Sequence, residues 1–506
     1  MLLAASNVCP GARSLLADAV LARSPHEVAR SRGSTARRRR KVGAVTVGVQ
    51  SEIADTRPES DLRVVPKPIR YGVGGVLFVL AIVLPLLRQT GTPSWRTIWA
   101  EDGSIYFQQA YRHGGLAVLF RGYGGYLQLP PRLLGGISAF IPIGQLALFL
   151  AVSAQVVNAL LATFVYWASD GWITSRLARL ALASLVVLMP VLVHENTATI
   201  SNTIWTFVAV APWALVSLAE RPLAVSFRSI VAFLAATATA LAAIFVPLAI
   251  GYALIRKTRA TWMVVIAFCT GLAVQAAVVS HTKDDRRHAL HAVRQVSRVP
   301  ELISVRVVAQ YLLADKGIGS FWDHRRLLVV AAPIVLVAIL TALLPGATFR
   351  IQLLAASFIA LAVITFVVPV WGRGTPAVAL TAIEAPTSLA NSTGTAYPGA
   401  NRSPRFSVVP VMMLASAAGL LLAGSRRRKS RTTRIWPVVF VAHIALLTII
   451  NFSSTNTRSH DRSWSSTVDS AYRTQCAGER PANLITVSTG MGFFFPVTLR
   501  CGDLAP

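Results

Sequence analysis

The sequence predicts an all-α polytopic membrane protein with about eleven transmembrane helices, two of them short and paired as a hairpin. Three observations carry this. The chain of 506 residues is 54% hydrophobic and only 14% charged, whereas a soluble domain carries about 25% charged residues. Its mean hydropathy is +0.56. Apolar runs recur along its length, and the loops between them hold much of the net charge of +28. Basic residues confined to short loops follow the positive-inside rule. They point to inner-leaflet lipid as the partner and not to nucleic acid.

Residues 1–70 form a separate region, with Arg37 to Arg40 and Lys41 in one run and no long apolar stretch. This composition predicts a disordered basic cytoplasmic tail, the run at 37–41 meeting anionic lipid. No basic residue precedes the weak apolar start, so a secretory signal is not expected. The transmembrane helical domain is expected over 71–452. Its spans are placed at 71–88, 145–167, 178–194, 201–219, 228–255, 260–280, 327–345, 351–370, 406–424 and 435–452. The 228–255 stretch is long for one crossing and is interrupted by Pro247 and Gly251. Read as a hairpin, it puts Arg176, Arg179, Arg221 to Arg228, Arg256 to Arg259 and Arg426 to Arg431 all on the cytoplasmic side. The N-terminus is then cytoplasmic and the C-terminus extracytoplasmic.

That topology turns loops 89–144, 281–326 and 372–405 and the C-terminal segment 453–506 outward together. Within 288–314, Leu290, Val293, Val296 and Val299 recur every three residues. This spacing predicts an element lying in the membrane interface. Segment 372–405 is rich in Gly, Pro, Ser, Thr and Asn and reads as a flexible loop. Cys476 and Cys501 share the polar tail on the oxidising side and are expected to form a disulfide, contributing about 3 kcal/mol.

The first loop carries the chemistry. Glu101 and Asp102 are adjacent carboxylates at the lip of the bilayer, where a lipid-linked substrate presents its reactive group. One of them is a candidate general base; the alternative is a pair that merely caps a helix. Tyr123 and Tyr126 follow among glycines, then Pro130, Pro131 and Arg132. Tyrosine faces stack on sugar rings, and arginine pairs with phosphate. The spacing offers no nucleotide-binding glycine loop and no zinc pattern.

Trp99 to Gly103, Gly124 to Leu127 and Pro131 to Leu133 resemble segments of a group of multi-spanning proteins of high-GC, actinobacterial type. That group is itself similar to the GT-C superfamily of glycosyltransferases. Asn202 to Trp205, Asn401 to Phe406 and the tail from Trp464 to Cys476 and Cys501 are further points of likeness, although Phe406 stands where the pattern has Tyr. The resemblance implies transfer of a sugar from a polyprenyl-phosphate donor to an envelope glycan, lipid or protein on the outer face. Asp102, or less directly Glu101, would take the acceptor's proton. Arg132, Arg373, Arg402 and Arg405 would meet the phosphate, with or without a divalent cation (Mg or Mn). Tyr123, Tyr126, His194, Glu195, Asn202 and Trp205 would line the same cavity. Two other classes remain open: a transporter or flippase of a lipid-linked saccharide, and a non-catalytic envelope-assembly protein. Asp102→Asn is expected to keep a capping role with a loss of about 1 kcal/mol or less, and to lose a base role worth about 10²–10⁴-fold in rate.

Overall fold

The computed structural model describes residues 67–192, 198–281, 299–320, 325–373, 407–423, 432–453, 457–476, 484–489 and 492–504. The predicted tail lies outside them up to residue 66, as does most of loop 372–405. The described chain is mostly helical. Three helices among the described residues are long and apolar enough to cross a membrane: Ile143–Ala168, Arg259–His281 and Phe349–Pro369. Seven shorter apolar helices accompany them among the described residues: Gly72–Leu86, Thr203–Val216, Pro222–Ala238, Ala240–Arg256, Val329–Leu343, Val408–Leu422 and Ile435–Ile450.

In chain order, α1 is Lys67–Leu86, α2 Gln108–His113, α3 Leu129–Ser138, α4 Leu146–Ala168, α5 Arg176–Leu188 and α6 Thr203–Val216. They are followed by α7 Pro222–Ala238, α8 Val246–Arg256, α9 Arg259–His281, α10 Val299–Ile303, α11 Gln310–Ser320, α12 Arg325–Leu343 and α13 Phe349–Arg373. The last helices are α14 Val408–Ala423, α15 Thr432–Ile450 and α16 Trp464–Ala471. Strands β1 (Leu484–Thr489) and β2 (Gly492–Arg500) close the chain as an antiparallel hairpin.

The segment read as a hairpin folds back on itself. Helix α7 stops at Thr239, which is extended at φ −160° and ψ 151°. A 3₁₀ turn over Ala240–Phe245 redirects the chain into α8. The two outer ends of this unit meet again, where Arg256 Nη2 lies 3.0 Å from Glu220 Oε1. Helix α9 then packs closely on α7. A Cβ at Gly271 would fall 2.7 Å from the Phe233 carbonyl oxygen, so glycine is what allows this approach.

The interhelix turns gather at two ends. At one, Arg179 pairs with Asp170 at 2.8 Å, Trp172 Nε1 donates to Val216 O at 2.8 Å, and Arg228 donates to the Ala214 and Ala219 carbonyls. These contacts tie together the α4–α5 and α6–α7 connections, and the Arg256–Glu220 pair adds the α8–α9 connection. At the other, the buried Arg88 donates to the carbonyls of Met189, Asn451 and Phe452, joining the ends of α1, α5 and α15. Lys316 N donates to Asn451 Oδ1 at 2.9 Å, which brings α11 to the same end.

Two of the expected outward segments are described in part. Of the stretch expected in the membrane interface, Leu290, Val293 and Val296 lie outside the described residues, and the chain enters the bundle only after the exposed Pro300. Every residue from Ser304 to Tyr311 is buried. The valines at 305, 307 and 308 join the main core beside α12 and α14. The C-terminal segment is a small folded unit with a sheet, and so departs from all-α. Ile485, Val487, Val497 and Leu499 alternate inward onto Trp464, Val468 and Ala471, the period-two pattern of a half-buried hairpin. Cys476 and Cys501 form a disulfide with Cα atoms 5.6 Å apart.

Candidate functional site around Asp102

Two short pieces of chain bring the site together. The first is the start of the first loop's helical stretch, where a π-helical turn spans Asp102–Phe107 and runs into α2. Such wide turns recur at functional positions because they re-aim side chains. The second is the turn before α6. Asp102 is 1% exposed, and its carboxylate accepts from Ile200 N through Oδ2 and from Ser201 N through Oδ1, each at 2.9 Å. The carboxylate thus closes the turn that leads into Asn202, the residue before α6. Burial lifts the Asp102 pKa to about 7, opposed by the two backbone donors, the Ser201 hydroxyl and the positive Arg458.

Arg458 comes from the C-terminal segment. It is 1% exposed, and its guanidinium lies 5.4 Å from the Trp99 ring centroid, in a cation–π arrangement. Burial lowers its pKa to about 10, against the pull of Asp102 and Asp461. Arg458 therefore stays charged at neutral pH. Thr92 clamps this piece in place: its N–H donates to Ser459 O at 2.8 Å and its hydroxyl to Asp461 O at 2.6 Å. Gly91, at φ +73°, lies so close to Ser459 that a Cβ would overlap its carbonyl oxygen. Burial lifts Asp461 to about 6.

The tail grips the same loop further along. Gln108 bonds both the carbonyl and the N–H of Thr498, filling the edge of β2 as another strand would. Tyr111 bonds Asp503 and accepts from Arg500 N, and Trp464 Nε1 donates to Ile143 O at 2.6 Å.

The remaining residues named from sequence divide into three groups. Asn202 and Trp205 are buried beside Asp102's turn, with Asn202 Nδ2 donating to Thr199 Oγ1 at 2.9 Å. Glu101 is half-buried next to Asp102. Tyr123, Tyr126 and Arg132 form a neighbouring cluster. Tyr123 and Tyr126 exchange backbone hydrogen bonds across Gly124 and Gly125, both at positive φ, as a tight two-residue hairpin turn requires. Arg132 is 1% exposed. Its guanidinium donates to Leu127 O, Gln109 Oε1 and Val118 O, and lies 5.9 Å from the Tyr106 ring. It is committed to holding the loop, with Nη2 the one buried nitrogen lacking a partner. Tyr106 connects the clusters: it follows Asp102 in the π-helical turn and bonds Gln128. The third group, His194, Glu195, Arg402, Arg405 and the side chain of Arg373, lies outside the described residues.

Sequence reasoning missed Arg458. Its signal was weak, one of five arginines in the polar tail, three residues before Asp461. Among the described residues no group of three His, Cys, Asp or Glu side chains could hold a metal ion. No protein-family model, curated protein or solved structure matches the chain.

Proposed function

We propose that this chain transfers a sugar from a polyprenyl-phosphate donor to an acceptor hydroxyl at the membrane surface, with Asp102 as general base. The observation that supports this reading best is Asp102 itself. It is a fully buried carboxylate at one end of an apolar helix bundle, with its pKa lifted by desolvation to about 7. A base is most effective with a pKa near the working pH. In the reaction, Asp102 takes the acceptor's hydroxyl proton as the acceptor oxygen bonds the donor's anomeric carbon. The bond from that carbon to the phosphate oxygen breaks, and the electron pair leaves on polyprenyl phosphate. Arg458 is the described cation beside the base and takes the role expected of Arg132, whose donors hold the loop.

The same reading includes about eleven crossings, with the N-terminus inside and the first loop and C-terminus outside. The sorting of interhelix turns into two ends supports it, since the basic connections before α5, α7 and α9 share one end and the tail shares the other with the first loop.

The test is transfer from a defined polyprenyl-phosphate sugar in proteoliposomes. The rate should rise with pH through about 7 and level off above it. Asp102→Asn should lose about 10²–10⁴-fold, and Glu101→Gln much less. Undiminished turnover by Asp102→Asn would remove Asp102 as the base. Movement of the lipid-linked sugar across the vesicle without transfer would favour a flippase.

A further inference from the structure

The first loop has an inverted surface. Helix α3 buries Leu129, Pro130 and Pro131 in its first turn, and beyond them its polar and small residues Arg132, Gly135, Gly136 and Ser138. Leu133, Ile137 and, just beyond the helix, Phe140 face out at 38%, 52% and 82% exposure. The strand of chain before it continues the patch, with Leu116 85% and Phe120 61% exposed. The two pieces are held together closely. A Cβ on Gly115 would lie 2.7 Å from the Gly136 carbonyl oxygen, and Arg132 Nη1 donates to Val118 O at 3.1 Å. The apolar side chains thus sit on one braced scaffold.

Water does not favour such an arrangement, because each large apolar group left exposed forgoes about 1.5–3 kcal/mol of burial. Lipid reverses the preference. Elsewhere on the chain, exposed large apolar residues such as Val73, Val76 and Val79 lie on α1, an apolar helix. The patch is also flanked by the exposed cations Arg112 and Arg121 and by exposed His113. Aliphatic and aromatic groups bordered by arginines fit the boundary between acyl chains and anionic headgroups. A protein partner or a second copy would be served by the apolar groups, but not specifically by this basic border.

We propose that Leu116, Phe120, Leu133, Ile137 and Phe140 form a lipid-contacting face that sets the first loop into the anionic membrane interface. This inference is independent of the sugar-transfer reading, because it rests on the surface of the loop and not on Asp102.

The test uses the full chain with Cys9→Ser and Cys269→Ser, leaving the disulfide intact. Leu116→Cys, Phe120→Cys and Phe140→Cys are labelled one at a time with an environment-sensitive fluorophore, with Asp469→Cys on the exposed side of α16 as reference. The protein is reconstituted in phosphatidylcholine vesicles with and without phosphatidylglycerol. Quenching by doxyl-labelled acyl chains should exceed quenching by an aqueous nickel chelate several-fold at 116, 120 and 140, with the reverse at 469. Phosphatidylglycerol should strengthen the lipid quenching, and Arg112→Gln with Arg121→Gln should remove that gain. Aqueous quenching at all three positions would overturn the proposal. So would exclusion of both quenchers, which would mean a protein covers the face. Either result leaves the transfer assay on Asp102 unaffected.

Discussion

At the scale of single residues, the geometry of Asp102 changes what a conservative substitution means. Both carboxylate oxygens accept a backbone N–H. An asparagine has one oxygen, so its amide would face either Ile200 N or Ser201 N with a second donor. Leaving a buried donor unsatisfied costs about 1–3 kcal/mol, more than a simple cap exchange would. Loss of activity in Asp102→Asn is therefore interpretable only beside a stability measurement, and pH provides one. The folded-state pKa of about 7 stands above the ordinary 3.8, so between these values the folded chain keeps a proton that the unfolded chain releases. Stability is fullest below about pH 4, falls as pH rises, and levels off above about 7. Asp461, lifted to about 6, acts in the same sense and is removed by working in an Asp461→Asn background. There, the unfolding temperature in detergent should drop between pH 5 and pH 8, and adding Asp102→Asn should flatten the drop. An equal drop with and without the Asp102 carboxyl would show that its ionisation is not coupled to folding.

At the scale of elements, the first loop is a braced structure built on close backbone contacts. A Cβ at Gly135 would meet Tyr106 Cβ at 2.7 Å and its backbone carbon and oxygen at 2.9 Å. The obstacle is largely main chain and cannot rotate away. Gly135→Ala should separate α3 from the Asp102–Phe107 turn and destabilise the protein by about 1–3 kcal/mol, the usual range for overpacking. Gly144→Ala, where nothing lies within 4 Å, is the comparison and should be near neutral. Equal unfolding temperatures for the two variants would contradict the contact. The contact also explains a limit of sequence reasoning. The glycines at 124 and 125 advertise a turn by their position between two tyrosines. Gly135 and Gly136 look like flexible residues in a short helix until their neighbours are seen.

At the scale of the whole molecule, the two groups of interhelix turns make the topology testable. Arg427→Cys, in a chain otherwise lacking Cys9 and Cys269, should resist an impermeant maleimide in intact cells and react after permeabilisation. Asp469→Cys should react in intact cells, since the tail containing it is bonded to the first loop at Thr92, Gln108 and Tyr111. Strong labelling of position 427 from outside would overturn the about eleven-crossing reading.

The sequence by itself determined the class of this protein, because composition and the spacing of apolar runs report directly on lipid as solvent. It also signalled a break within 228–255 by length, although Pro247 and Gly251, read as the interruption, lie within α8 and the chain turns earlier, at 239–245; and it paired the cysteines, which the polar tail left with no other partner nearby. What it could not determine was everything that depends on pieces distant in the chain meeting. Asp102 has its properties because residues 200 and 201 donate to it and residue 458 lies near it. Burial, which raises its pKa, is a property of the assembled loop, turn and tail. Periodicity reports which side chains share a face, but only the packed neighbours decide whether any face is left for water. Arg132 marks the same limit: its sequence neighbourhood allowed a phosphate contact, and the tertiary structure gave three of its donors to the oxygens of its own loop.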